Sequence, residues 1–393
     1  MFCHAFQRSY RSAAREIASA ATQTSRRGCG DHLGGRRTPP PPYFGGRRCA
    51  HRSPARKNHA DSLRVIAPKI HPMILIMILL ILVGLSAVLA LFTRRVTRQV
   101  EQSIPASGRF FDVPGARLHY LDQGSAPAGR PPVVMIHGLG GHLHHFKYAL
   151  VDDLARDNRV IAVDRPGSGY STRETGRATR LTDQADAIVA LLDGLQIDRA
   201  FFVGHSLGGA LSLTLALRHP NRIAGLALIA PLTHYAGRFP AVFIALAVRG
   251  ALARKFVANV LAAPGFIANR RRVMPKIFGP EAVPRDYRVR GGGLLTLRPS
   301  QYIGASEDLA AVPEILPSLE ARYESLNRPD APPISVLYGK EDAILDYRIH
   351  GERFAARVPA SRLELVSGGH MLPLTQPERV AHFIRDALNR SLT

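Results

Sequence analysis

The stretch that decides the fold is residues 199–220, which read RAFFVGHSLGGALSLTLALRHP. A short apolar run precedes a turn containing Ser206, and an apolar stretch with helical periodicity follows it. The pattern therefore predicts a strand, a sharp turn and a helix. Gly204 and Gly208 are small enough for the two chain segments to pass closely, so that the serine hydroxyl stands exposed at the corner. This is the setting of a nucleophile, although a Gly-x-Ser-x-Gly string also occurs in ordinary loops.

A nucleophilic serine needs hydrogen-bond donors for the negative oxygen that develops on its substrate. The sequence HGLGG at residues 137–141 follows an apolar run that predicts a strand, and it forms a flexible turn whose backbone N–H groups can point at such an oxygen. We predict that the N–H groups of Leu139 and Leu207 form this oxyanion hole. His137 and Gly138 are expected to support the turn.

The nucleophile also needs a base and an acid that orients the base. Residues 334–338 are an apolar run followed by GKED, which places Asp342 in the loop after a predicted strand. Residues 362–366 alternate like a strand and lead into SGGH, a glycine-loosened loop that ends in His370. With Ser206 these residues make up the predicted triad. Two nearby acids are alternatives to Asp342: Glu341 and Asp346.

Five stretches in this order make the chain from about Gly108 onward resemble the α/β-hydrolase superfamily, in its cap-bearing lipase, esterase and C–C hydrolase branch. They are VVMIHGLGG, RVIAVDRPGSGYS, FFVGHSLGGA, VLYGKEDAI and SGGHMLPLTQPERV. The resemblance implies an α/β fold with a mostly parallel sheet wrapped by helices, and a site at the carboxyl ends of the strands. It also favours Asp342, because the family pattern is Gly-x-x-Asp and the other position that related enzymes use, after residues 225–230, holds no acid here.

The predicted chemistry is acyl transfer to water. His370 takes the proton of Ser206 as the hydroxyl attacks a carbonyl carbon, Asp342 orients the imidazole, and water releases the acyl group. Serine at this position disfavours the haloalkane dehalogenases and epoxide hydrolases of the superfamily, which use aspartate there. Carboxylesterase, lipase, thioesterase, C–C hydrolase and acyltransferase activities stay open, as does a ligand-binding receptor without turnover.

A long insertion separates two predicted parts of the hydrolase core, residues 108–232 and 332–393. Residues 233–331 are too many for an ordinary connection and too rich in apolar helical pattern for a loop, so we predict a helical cap. Residues 239–263 read as an apolar lid helix with a few basic residues, which packs on the core or also touches lipid. Pro264 and Gly265 are expected to interrupt the cap.

Three histidines follow the oxyanion loop and invite a metal interpretation: His142, His144 and His145. No Cys, Asp or Glu accompanies them at ligand spacing. We therefore predict no metal site here, and no cofactor for the chain.

Residues 73–92 read MILIMILLILVGLSAVLALF, which contains no charge. At about 1.5 Å per residue such a helix spans about 30 Å, the thickness of a bilayer's hydrocarbon core. We predict one transmembrane helix at residues 72–92, a linker at residues 93–107 and a single-pass membrane protein. A cleaved signal peptide and a buried core helix are the alternatives. Basic residues flank both ends of the run, so its orientation stays open.

Residues 1–71 contain 14 basic and 3 acidic residues, half of the chain's net charge of +22, and lack apolar periodicity. We predict a disordered basic tail that meets anionic lipid rather than nucleic acid, because the hydrolase part shows no recognition pattern for nucleic acid. A transit peptide, or a natural start at Met73, would also fit this composition. All three cysteines lie in the tail, so the hydrolase part has no disulfide framework: Cys3, Cys29 and Cys49.

Overall fold

A computed structural model describes residues 71–174 and 179–392 of the chain. The predicted basic tail lies outside the described residues, except for His71, and so do the three cysteines.

A nine-stranded sheet forms the centre of the described part. The strands are β1 (Arg109–Val113), β2 (Ala116–Gln123), β3 (Val133–Ile136), β4 (Val160–Val163), β5 (Thr172–Arg173), β6 (Ala200–His205), β7 (Ile223–Ile229), β8 (Ile334–Gly339) and β9 (Arg362–Val366). Their spatial order is β1-β2-β4-β3-β6-β7-β8-β9, with β5 paired to β2. From β4 to β9 every neighbouring pair is parallel, whereas β2 pairs antiparallel with β1, β4 and β5. The predicted α/β fold with a mostly parallel sheet is confirmed.

Helices cover both faces of this sheet, which is why its central strands read as continuous apolar runs. The helices are α1 (Pro72–Ser103), α2 (His144–Lys147), α3 (Leu150–Leu154), α4 (Leu181–Gly194), α5 (Leu207–Arg218), α6 (Ala251–Phe256), α7 (Ala263–Phe278), α8 (Pro299–Glu320), α9 (Arg353–Arg357), α10 (Leu372–Thr375) and α11 (Pro377–Arg390). Successive strand residues point to opposite faces. Phe202 joins the core beneath α4 and α5, and Phe201 and Val203 join the core beneath α3 and α11.

The insertion between β7 and β8 is helical. Residues 251–278 form one continuous helix, called the cap helix below, in which a π-helical turn at Val257–Ala262 joins α6 to α7. It does not extend back to residue 239 as the sequence suggested, because Gly250 turns the chain with a φ of 83°. It also runs through Pro264, because the π-helical turn directly before this proline already departs from regular α-helical hydrogen bonding. The rest of the insertion consists of α8 and three 3-10 turns: Ala241–Leu246, Gly293–Leu297 and Tyr323–Asn327.

Helix α1 continues through most of the segment that the sequence suggested as a linker, residues 93–107, and ends at Ser103. Val96, Val100 and Ile104 recur at helical spacing and pack against a small apolar cluster of the cap that includes Ala263 and Leu295. This contact stabilises a helix in a segment where the sequence alone shows only a few spaced apolar residues.

Within the described residues, two helices are long and apolar enough to cross a membrane by length and composition alone, namely α1 and the cap helix. The core helix of a soluble protein and a signal sequence pass the same test. In α1 the most apolar eighteen-residue window has no buried residue, which sets it apart from a core helix.

Candidate active site

Ser206 occupies a tight corner between β6 and α5. Its backbone has a φ of 54° and a ψ of −118°, a conformation that side chains other than glycine rarely adopt. A Cβ atom at residue 208 would lie 2.1 Å from the carbonyl oxygen of Ile136, and one at residue 204 would lie 2.6 Å from that of Gly208. The two glycines that the sequence singled out are therefore required by the close passage of the chain.

The corner is held by main-chain hydrogen bonds. The N–H of Ser206 donates to the carbonyl oxygen of Ile229 at 3.0 Å, and its own carbonyl accepts from the N–H of Leu232 at 2.9 Å. No hydrogen bond from the Ser206 hydroxyl to another described residue is present, including the His370 ring. Hydrogen bonds of a catalytic serine are commonly long before substrate binds.

Asp342 and His370 meet as the sequence predicts. His370 Nδ1 lies 2.7 Å from Asp342 Oδ2, and both side chains are buried. The other carboxylate oxygen of Asp342 accepts the N–H groups of Ile344 and Leu345, which fix the side chain. Because the carboxylate accepts at Nδ1, the proton of neutral His370 resides there and Nε2 is left with a lone pair.

The two alternative acids are engaged elsewhere. Glu341 accepts the N–H of Gly368 at 2.6 Å, and Asp346 accepts the N–H of Arg348 at 2.9 Å. Among the described carboxylates, Asp342 alone makes a hydrogen bond to His370.

His205, the residue before the serine, supports the loop of His370. Its Nε2 lies 2.9 Å from the carbonyl oxygen of His370, and the two ring centroids are 4.9 Å apart. Burial lowers the pKa of His205 well below its usual value, and the nearby His370 lowers it further. The ring is therefore neutral and donates Nε2–H to this carbonyl. Sequence reasoning did not assign a role to this position.

The turn at residues 137–141 lies against the serine. A Cβ atom at Gly138 would be 2.8 Å from the Cβ of Ser206. Arg165 donates from Nε to the carbonyl oxygen of His137 at 3.0 Å and from Nη2 to that of Gly138 at 3.1 Å. In a trans peptide the N–H points opposite to the C=O, so the N–H of Leu139 is directed away from Arg165. The N–H groups of Leu139 and Leu207 have no main-chain partner within the described part.

His137 completes this arrangement. The N–H of Arg165 donates to His137 Nε2 at 3.0 Å, so Nδ1 carries the proton and donates to the carbonyl oxygen of Gly138 at 2.8 Å. Burial, and then the charge of Arg165, lower the pKa of His137 well below its usual value. A neutral imidazole and a guanidinium thus hold the same carbonyl.

Arg165 is fully buried and is held by the cap. Its Nη1 lies 2.7 Å from Oδ2 of Asp308 on α8, and Arg173 binds the other oxygen of Asp308 at 2.8 Å. Burial alone would raise the pKa of Asp308, but the two guanidinium groups outweigh it and the pKa is lowered. The stretch RVIAVDRPGSGYS, on which the family resemblance partly rests, contains Arg165, but no motif pointed to Asp308.

A cavity of about 780 Å³ opens at the corner and is within the usual size range of small-molecule sites. Ser206, Leu207, Leu139 and Asp342 all line it. Much of its remaining wall is apolar and comes from the core and the cap: Leu232, Tyr235, Phe239, Phe243, Leu309, Val312, Ile344 and Ile349.

The three histidines after the oxyanion loop are buried side by side. The ring of His142 lies 4.6 Å from that of His145 and 5.7 Å from that of His144, centroid to centroid. Burial lowers the pKa of His145 to about 4. Across residues 71–174 and 179–392, no group of three or more His, Cys, Asp or Glu side chains is arranged to hold a metal ion.

The family model described as the alpha/beta hydrolase fold matches residues 131–264, which include the turn at 137–141 and the serine corner. The chain belongs to the α/β-hydrolase superfamily. Among solved structures, the enol-lactonase of Burkholderia xenovorans LB400 has a TM-score of 0.57 and 22% identity, covering 72% of this chain and all of that one. At this identity the likeness concerns the fold alone.

Two curated relatives of this α/β-hydrolase chain are more similar in sequence. The dihydrolipoyllysine-residue acetyltransferase component of the acetoin cleaving system of Pseudomonas putida is 31% identical over 278 residues, 68% of this chain and 66% of the relative. The 2-hydroxymuconate semialdehyde hydrolase of Pseudomonas sp. strain CF600 is 38% identical over 130 residues, 33% of this chain and 44% of the relative. The chain thus spans about two thirds of the first relative's length and less than half of the second's.

Proposed function

We propose that this chain is a membrane-anchored serine hydrolase that cleaves ester-like bonds of small apolar molecules or lipids through an acyl-enzyme. The observation that carries the proposal is the 2.7 Å hydrogen bond between His370 and Asp342, the two residues that the sequence predicts as base and acid. Asp342 also lines the same cavity as Ser206.

In the proposed reaction, the substrate carbonyl enters the cavity above Ser206. His370 Nε2 accepts the hydroxyl proton as Oγ attacks, and Asp342 stabilises the imidazolium that forms. The N–H groups of Leu139 and Leu207 bind the oxyanion, and one such donor is worth about 3 kcal/mol in comparable sites. The leaving group takes the proton from His370, and water then attacks the acyl-serine by the same route in reverse.

The cavity wall and α1 support the proposed substrate class. Many of the side chains that line the cavity are aromatic or aliphatic, which favours an apolar acyl or alcohol group, although Arg238 and Arg348 also line it. The exposed, uncharged run at residues 73–92 favours a bilayer anchor, which would hold the cavity near lipid-soluble substrates.

The test is hydrolysis of a series of p-nitrophenyl esters, from acetate to laurate, by the full chain in detergent micelles. We expect turnover by the wild type, a preference for medium or long chains over acetate, and loss of turnover in Ser206→Ala. A wild-type rate in Ser206→Ala would contradict the proposal. A folded chain that binds these esters without cleaving them would indicate a receptor of the same fold.

A C–C bond hydrolase is a second candidate, favoured by the 38% identity to the 2-hydroxymuconate semialdehyde hydrolase. Both reactions would use Ser206, His370 and Asp342. Assays with a vinylogous diketone of the meta-cleavage type, run beside the ester series, separate the two by their ratio of kcat/KM. Acyl transfer to an added alcohol or thiol, at the expense of hydrolysis, would instead identify an acyltransferase.

A further inference from the structure

The contact between α1 and the cap reaches into the apolar run. Partial burial on α1 begins at Ser86 and recurs at Leu89 and Ala90, and Thr93 and Val100 on the same helix face are buried. The elements packed against α1 are the cap helix and the 3-10 turn Gly293–Leu297. Ser86 lies six residues before the end of the uncharged run, which is about 9 Å along the helix axis. Part of the cap therefore lies beside the last turns of that run.

The end of α1 is fixed to the hydrolase part by polar contacts. Glu101 forms an ion pair with Arg298 at 3.0 Å, and the hydroxyl of Tyr170 donates to the carbonyl oxygen of Ile104. The guanidinium of Arg298 also lies 4.3 Å from the ring centroid of Tyr170. The position of the cap relative to the apolar run is thus set by a rigid contact rather than by a flexible linker.

Three large apolar side chains are exposed on this part of the cap, with Lys255 and Asn259 exposed among them. Leu252 is 83% exposed, Phe256 is 50% exposed and Leu261 is 45% exposed. The neighbouring charge turns inward, since Arg254 donates to the hydroxyl of Ser306 at 2.9 Å and pairs with Glu307. Exposed apolar side chains on a helix that packs against the proposed membrane span mark a surface for lipid.

Exposed basic side chains border both apolar segments along the chain. Arg94 and Arg95 follow Thr93, the residue after the uncharged run, and Lys255 precedes Phe256. Long basic side chains at such a border extend to the headgroups and attract anionic lipid.

We propose that Leu252, Phe256 and Leu261 of the cap helix insert into the bilayer interface next to α1. This inference rests on the proposed anchoring of α1. The partner of these three side chains is the bilayer itself, with anionic headgroups around Lys255, Arg94 and Arg95.

The test uses the full chain with its three cysteines, all of which lie in the tail, changed to serine. Each introduced cysteine is then the single one in the chain. Single cysteines, introduced as Leu252→Cys, Phe256→Cys and Met77→Cys, are labelled with an NBD fluorophore. Ser318→Cys, at an exposed position of the other long cap helix, is the matched control. The proteins are reconstituted into vesicles of phosphatidylcholine and phosphatidylglycerol, with or without doxyl-labelled lipid. Fluorophosphonate labelling of each variant reports that it is folded.

We expect the labels at residues 252 and 256 to emit at shorter wavelength, to be quenched by lipid doxyl groups and to be protected from aqueous iodide. The label at residue 318 should behave in the opposite way. If residue 77 is quenched by doxyl lipid while residues 252 and 256 respond like residue 318, the cap inference is wrong and the anchor stands. If the label at residue 77 is not quenched either, α1 is not a membrane anchor, and the inference about the cap helix is wrong as well. Protection from iodide without doxyl quenching would indicate a protein partner and overturn the inference.

Discussion

Arg165 and Asp308 form a buried ion pair at 2.7 Å that connects the main chain of the turn at residues 137–141 to the cap. The guanidinium that holds the carbonyl groups of His137 and Gly138 is itself held by a carboxylate of α8. The orientation of the proposed oxyanion donor at Leu139 therefore depends on a residue of the insertion. This contact joins the cap to the turn that lies beside Ser206.

We predict that Asp308→Asn lowers kcat for ester hydrolysis while KM changes little, because Arg165 loses its charge partner and the carbonyl alignment relaxes. Removing one partner of a buried pair should also cost about 3–5 kcal/mol of the free energy of unfolding. Glu307→Gln is the matched control, since Glu307 pairs with Arg173 and Arg254 but not with Arg165. Steady-state kinetics and urea unfolding test this. Equal kcat values for the two variants would show that the pair does not position the turn.

Asp342→Asn should lower kcat by about 10⁴, because an amide stabilises the wrong imidazole tautomer and cannot offset the imidazolium charge. Glu341→Gln should have a much smaller effect, since this side chain binds the N–H of Gly368 instead. Rates with one ester at saturating concentration decide between them. A larger loss of kcat in Glu341→Gln than in Asp342→Asn would identify Glu341 as the acid instead.

Replacing Ser206 with glycine should stabilise the folded chain relative to Ser206→Ala. The φ of 54° at this residue is a strained conformation for any side chain, of the kind that costs about 1–3 kcal/mol. The serine makes no side-chain capping bond to α5 that glycine would lose. Denaturant unfolding of the two inactive variants measures the difference. A glycine variant less stable than the alanine variant would contradict this account of the corner.

Acid should destabilise the fold through seven buried histidines whose pKa values are lowered, in each case chiefly by burial: His137, His142, His144, His145, His205, His234 and His350. For His145 and His350 the pKa is lowered to about 4. Below the unfolded pKa of about 6.5 the unfolded chain binds protons that the folded chain does not, so stability is lost as the pH falls. Each such ring contributes about 1.4 kcal/mol per pH unit in that range.

The measurement is Tm and the free energy of unfolding from pH 7.5 to pH 5. The slope of the free energy of unfolding against pH should decrease in His145→Phe by the contribution of about one proton, because one such ring is removed. A Tm that stays constant over this range would show that these histidines are protonated in the folded state.

The corner and the turn at residues 137–141 could be predicted from sequence because their chemistry is local: glycines flank a serine between a strand and a helix. Asp342 could be preferred over Glu341 and Asp346 because the resemblance implies the pattern Gly-x-x-Asp, and in the structure β8 and β9, which precede Asp342 and His370, are neighbouring strands. The ion pair between Arg165 and Asp308 could not be predicted from the sequence. The two residues are 143 positions apart, and no sequence motif links them. The continuation of α1 to Ser103 could not be predicted for a similar reason, because the cap residues that cover Val100 lie far along the chain.

The central claim is that Ser206 is a nucleophile activated by His370, and covalent labelling tests it most directly. The full chain is treated with a fluorophosphonate probe and digested, and the adduct is located by mass spectrometry. We predict one adduct on the serine of the VGHSLGG peptide, absent in Ser206→Ala and formed far more slowly in His370→Gln. A folded wild-type chain that remains unlabelled, or one labelled equally fast without His370, would contradict the account.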